Sequence, residues 1–155
     1  MIDNFDWRKI RPAQRLHRFL YAIGLGPVVG KIVLLLTTTG RKSGLPRVTP
    51  LQYELIDGRY CLGAARGKKA DWVRNIEADP KVKVRVKNLN FSGLARVSHD
   101  PVEIADFLET RLRHHPLMIG LIMEKAHNLP RRPSRQQLEA LAADEVMVVI
   151  SPDQE

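Results

Sequence analysis

Hydrophobic and polar positions alternate most strictly at Lys81-Val82-Lys83-Val84-Arg85-Val86-Lys87, where charge and valine trade places at every step. A period of two puts the valines on one face and the charges on the other, the signature of a strand with one buried and one wet side. A turn at Asn88 to Asn90 leads into a partner strand, Phe91 to Ser98. Upstream, Ile32 to Thr39 is a β-branched and leucine run lying between Gly30 and the turn Gly40-Arg41-Lys42-Ser43-Gly44, which suits a buried strand. Arg47 to Ile56 reads as one continuous strand, Asp57-Gly58 as a hairpin turn and Arg59 to Ala65 as its return. With Glu145 to Ile150 the expected strands number six.

Between and around these lie helical patterns. Leu16, Phe19, Leu20 and Ile23 share a face over Pro12 to Ile23, with Arg11, Arg15 and Arg18 on other faces. This amphipathic helix reads first as a lid on one end of the sheet; its basic and aromatic character also suits peripheral contact with a membrane surface. Lys69 to Ala78 predicts a short helix carrying Trp72, Val73 and Ile76, stopped by Asp79-Pro80. Asp100 as N-cap, Pro101 at the first helical position and Glu103 at the third open a helix to about Arg113. His114-His115-Pro116 breaks it, Leu117 to Ala126 predicts another, and Ser134 with Gln137 forms a capping box for the last. No βαβ alternation or internal repeat is present, so the expected class is α+β, an antiparallel barrel with flanking helices. One unit is expected over residues 1–155: an N-terminal helix within 1–30, a barrel core over 32–99, and helices with a closing strand over 100–150.

Charge changes this picture more than length does. The chain carries 25 Lys plus Arg against 17 Asp plus Glu, a net +8 with a pI near 10.0, so its surface attracts anions. Nucleic acid, an acidic membrane face and a phosphorylated small molecule are the three candidates. Lys81, Lys83, Arg85 and Lys87 on one strand face motivate the first, but Phe91 is the only nearby ring, whereas single-strand platforms need stacking residues. Nucleic acid is therefore disfavoured. The apolar stretch Gly24 to Leu36 falls short of the roughly 20 residues a bilayer span needs, and Lys31 interrupts it. Asp3 and Asp6 precede the first basic residues and no cleavage pattern follows, so the cytoplasm is the expected compartment. Cys61, the single cysteine, lies in an apolar run and reads as packing.

No nucleophile elbow, Walker loop, His-Glu-x-x-His or Cys-x-x-Cys occurs, and the five histidines are scattered apart from His114-His115, so no metal site is expected. The informative stretch is Thr37-Thr38-Thr39-Gly40-Arg41-Lys42-Ser43-Gly44-Leu45-Pro46-Arg47. Three hydroxyls end a strand, two glycines permit an unusual turn, and Arg41, Lys42 and Arg47 converge on one end of a hairpin. Turn amides, a lysine point charge and an arginine fork together make an anion cradle. The same residues would serve equally as a solvated hairpin loop.

Arg47-Val48-Thr49-Pro50-Leu51, Ala64-Ala65-Arg66-Gly67, Asp71-Trp72-Val73-Arg74-Asn75-Ile76 and Asp79-Pro80-Lys81-Val82 supply the context. In order and spacing they resemble the F420-dependent nitroreductase and quinone reductase family, a branch of the flavin-binding split barrels; the likeness runs from about Leu34 to Val86. The resemblance implies a split β-barrel and a reductase that passes a hydride from reduced coenzyme F420 to an electrophilic small-molecule acceptor: a quinone, nitroaromatic or activated alkene. It assigns Lys42 and Arg47, with Arg41 beside them, to the coenzyme phosphate, and Thr49, Pro50 and Leu51 to the strand lining the deazaflavin ring. Ala65, Arg66 and Gly67 follow as backbone near the ring, and Trp72 and Asn75 as helix residues beside it. FMN, which also carries a phosphate and a tricyclic ring, is the alternative ligand, and a non-catalytic coenzyme carrier is a third reading. No acid or base is assigned; solvent or Tyr53 would supply a proton. Split barrels commonly pair, so a homodimer is expected. The chain departs from the family in a short loop between Arg66 and Trp72 and in lacking its substrate-pocket tyrosines after Arg96; Met118, Ile119, Ile122 and Met123 are the candidates for an apolar lid, or plain core.

Overall fold

A computed structural model describes residues 33–64 and 67–154. The expected helix over Pro12 to Ile23, with the membrane contact attached to it, lies outside the described residues, as do Ala65 and Arg66. In chain order the elements are β1 (Val33–Thr39), β2 (Pro46–Gln52), β3 (Glu54–Ile56), β4 (Arg59–Gly63), α1 (Asp71–Ala78), β5 (Lys81–Val86), β6 (Leu89–Ser98), α2 (Pro101–His114), α3 (Pro116–His127), α4 (Arg135–Ala142) and β7 (Met147–Pro152). A 3-10 turn, Gly67–Lys69, precedes α1.

All the described strands join one sheet in the order β2-β1-β5-β6-β7-β4-β3, and every pairing among them is antiparallel. Its two edge strands, β2 and β3, are consecutive in the chain and separated by Tyr53 alone. One residue spans less than 4 Å, so the sheet must curl until its edges meet. That closure makes a flat sheet into a half-open barrel. It also corrects the strand count from six to seven among the described residues: the run expected as one strand from Arg47 to Ile56 breaks at Tyr53, which is 7% exposed and turns into the barrel. An unbroken strand could not lie on both edges.

The turns follow local chemistry. Asp57 and Gly58 both take positive φ, 51° and 76°, as a two-residue hairpin requires. The β5-β6 turn is tighter than expected, at Lys87 and Asn88 with Lys87 at φ 51°, because Leu89 and Asn90 already pair with Val86 and Arg85.

Val82, Val84 and Val86 point into the barrel with Leu34, Leu36, Leu62, Val148 and Ile150, while Val73 and Ile76 of α1 plug one end. A second apolar cluster sits outside the barrel wall. There Cys61, Met147 and Val149 meet Ile104 and Phe107 of α2, Ile119 and Met123 of α3 and Leu138 of α4. Ile119 and Met123 are thus core, at 2% exposure each, while Ile122 is exposed. Burial pushes the Cys61 thiol up to about 11, in keeping with a packing role.

Candidate functional site

The hairpin between β1 and β2 is built from its own amides. Gly40 donates to the Leu45 carbonyl and Gly44 to that of Gly40, each at 2.8 Å, and Leu45 donates to Ser43 Oγ at 3.2 Å. Gly44 has φ 71°. A Cβ on Gly40 would come within 2.7 Å of Ser43 Oγ and 3.2 Å of the Leu45 carbonyl oxygen, so the hairpin closes tightly over this glycine and a larger residue there would displace the Ser43 side chain.

Asn75 on α1 holds the hairpin in place. Its Nδ2 donates to Thr38 Oγ1 at 3.2 Å, and its Oδ1 accepts from the Arg41 backbone N–H at 3.2 Å and from Arg41 Nη1 at 2.9 Å. Arg41 Nη2 donates to Asp71 Oδ1 at 3.1 Å, and this contact holds the Asp71 carboxyl below the usual carboxylate range. Asp71 in turn neutralises Arg41. The amphipathic α1 makes this possible by burying Val73 and Ile76 in the barrel, which fixes Asp71, Trp72 and Asn75 toward the hairpin.

Between hairpin and helix opens a cleft of about 480 Å³, with Arg41, Lys42 and Ser43 on one side, Arg47, Val48 and Thr49 of β2 beneath, and Asp71, Trp72 and Asn75 opposite. Lys42 and Arg47 form no ion pair with any described residue. The amides of Lys42 and Ser43 likewise have no partner among the described residues. Two cations and two amides without partners among the described residues, beside a tryptophan packed against the core, can cradle an anionic group attached to a flat apolar body.

Six of the expected site residues therefore meet in one cleft: Arg41, Lys42, Arg47, Thr49, Trp72 and Asn75. Leu51 packs on the barrel core instead. Pro50 pairs with Leu35 and points, by strand alternation, to the outer face. Gly67, at φ 56°, opens the 3-10 turn and donates to the Ala64 carbonyl at 3.0 Å, so its amide is already used. Tyr53 lies in the barrel, its ring 5.5 Å from that of Tyr60, and does not line the cleft. Burial, with Tyr60 and Glu54 nearby, raises its pKa. Thr38 is the partner sequence reasoning missed. A hydroxyl at the buried end of the leucine run was the available signal, but its bond to Asn75 crosses 37 positions of chain.

A model of the F420H(2)-dependent quinone reductase family matches residues 11–116, most of the chain and all of this cleft. The chain belongs to that family. Among its relatives is an F420H(2)-dependent quinone reductase of Mycobacterium tuberculosis, 33% identical over 97 residues; the match takes in 56% of this chain and 65% of that protein. The chain thus spans just under two thirds of the length of the curated relative. Among solved structures, an F420-H2 dependent reductase aligns at TM-score 0.50 and 24% identity, over 77% of this chain and 94% of that one. The heme storage protein of Vibrio cholerae aligns at TM-score 0.54 and 16% identity, over 94% and 93%. Both likenesses speak for the split-barrel fold alone. Family membership, with the cleft, carries the functional argument. No described helix is long and apolar enough to cross a membrane.

Proposed function

We propose that this protein is an oxidoreductase that binds coenzyme F420 in the hairpin-helix cleft and reduces an electrophilic small molecule, with quinones the first class to test. One observation carries the reading: Lys42 and Arg47, which form no ion pair with any described residue, line one cleft together with Trp72. The deazaflavin ring, when bound, supplies the hydride chemistry. Lys42 Nζ, the Arg47 guanidinium and the amides of Lys42 and Ser43 hold the coenzyme phosphate. Thr49 and Trp72 line the ring. Arg41 keeps the hairpin upright through Asp71 and Asn75 and touches the phosphate less than its neighbours do. The family match favours F420 over FMN. A nucleic-acid platform is disfavoured because Phe91 packs inward against the barrel core, its ring 5.2 Å from Tyr60, on the face opposite the lysines.

Fluorescence titration with F420 and, separately, with FMN tests the coenzyme. Each charge-assisted contact contributes about 1.5–3 kcal/mol, so Lys42→Ala with Arg47→Ala should weaken F420 at least about a hundredfold. Oxidation of reduced F420 by a soluble quinone, followed by its absorbance, then separates a reductase from a coenzyme carrier. Preference for FMN, or equal affinity in the double variant, would overturn the assignment.

A further inference from the structure

A larger cleft, about 760 Å³, opens on the other side of the same hairpin, over the outer face of β1, β5 and β6. The hairpin divides the two: Lys42, Ser43 and Arg47 line the first cleft, Gly44 and Pro46 the second. Register builds its floor. Thr37 pairs with Lys83 and Lys83 with Ser92, so three outward side chains form one row across three strands. Cross-strand neighbours of this kind stand about 5 Å apart, so Lys83 lies between two hydroxyl side chains about 10 Å apart, within reach of an anionic group that lies along the row. Lys81, two residues before Lys83, adds a second ammonium on the same face.

Two observations mark this surface as more than a solvated strand face. Lys81 and Lys83 make no ion pair with any described residue. Thr37 is 3% exposed, and its Oγ1 is buried without a hydrogen-bond partner. Valine would fill that position without leaving a hydroxyl unsatisfied. Two acids also line the cleft: Asp79 accepts from the Lys81 amide at 3.1 Å, and Asp153 follows β7, its amide bonded to the Ser92 carbonyl at 2.9 Å.

We propose that the row Thr37-Lys83-Ser92, with Lys81, is a second anion site that takes the phosphate or carboxylate end of a small molecule. Lys83 and Lys81 supply the charge, and the Thr37 and Ser92 hydroxyls complete the donor set. Asp153 sits beside it and favours ligands whose negative charge is confined to one end.

Calorimetric titration with inorganic pyrophosphate tests this in the Lys42→Ala, Arg47→Ala protein, where the first cleft cannot answer. Binding should persist there, fall at least tenfold on adding Lys81→Met and Lys83→Met, and tighten severalfold with Asp153→Asn. Thr37→Val should raise the melting temperature of the free protein while lowering pyrophosphate affinity about threefold, a pair of effects that a packing role would not produce. No pyrophosphate binding once Lys42 and Arg47 are gone, or binding indifferent to Lys81 and Lys83, overturns the proposal. With the first cleft intact, F420 affinity lost in the Lys81→Met, Lys83→Met protein identifies the anion as the far end of the same coenzyme. Loss confined to pyrophosphate identifies a separate ligand. Because pyrophosphate is read directly, failure of this site and failure of the coenzyme assignment give different results.

Discussion

Asn75 is 4% exposed, and its one amide group serves three partners at once: Thr38 through Nδ2, and the Arg41 backbone and guanidinium through Oδ1. Alanine there would leave the buried Thr38 hydroxyl and the Arg41 amide without partners, each at a cost of about 1–3 kcal/mol before water compensates. Asn75→Ala should therefore lower stability in urea by about 2 kcal/mol and weaken F420 by about tenfold, although Asn75 lies behind the phosphate site. Unchanged coenzyme affinity in a destabilised variant would mean that the hairpin keeps its shape without the latch. Aspartate at this position keeps the acceptor but loses the Thr38 donor, so it should recover part of the affinity.

At the scale of elements, α2 is tied to the sheet by its first turn. Asp100 caps the helix through Val102 N–H at 3.0 Å. Glu103 reaches instead to the strand before it, accepting from Arg96 Nη2 and Ser98 Oγ, each at 2.6 Å. The Arg96 guanidinium foremost, then the Ser98 hydroxyl, hold the Glu103 carboxyl below its usual 4.5. A depressed folded-state pKa means that this stabilisation is present above pH 4.5 and is lost as pH falls through the lower folded value. Glu103→Gln should flatten the acid limb of the stability curve below that point, and little change is expected at pH 7 beyond the loss of a partly exposed pair. Thermal melts from pH 3 to 7 read this; an identical acid limb in both proteins would assign acid sensitivity to another group.

For the molecule as a whole, the helical layer is fastened to the barrel through Glu54 on edge strand β3. Its carboxylate, 5% exposed, lies 2.8 Å from His114 Nδ1, 3.2 Å from His115 Nε2 and 3.8 Å from Arg111 Nε, and Arg111 Nη2 donates to Gln52 at 2.7 Å. Burial lowers the Arg111 pKa and Glu54 partly restores it. Removing one partner of such a pair strands the other charge, at about 3–5 kcal/mol. Glu54→Gln should show a loss of that order in urea, and Glu54→Gln with Arg111→Met should recover most of it. A double variant as unstable as the sum of its parts would show the two residues acting independently.

Much of this was written locally. The valine alternation of β5, the Asp57-Gly58 turn, the Asp100-Pro101 cap and the Ser134 capping box each need only neighbours within a few residues, and each forms as its pattern dictates. The basic hairpin was equally legible, since Gly40 to Arg47 concentrates its chemistry in one short stretch. What the sequence left open depends on residues far apart in the chain. The break at Tyr53 exists because a curled sheet must bring its two edges together. Arg41 is drawn from the free cations to Asp71, 30 positions on. His114 and His115, a mere helix break along the chain, close on Glu54 about sixty positions earlier. The row Thr37-Lys83-Ser92 appears only once three strands are set in register. Short-range patterns of polarity determine which elements form, but closure of the barrel decides which charges remain free to bind.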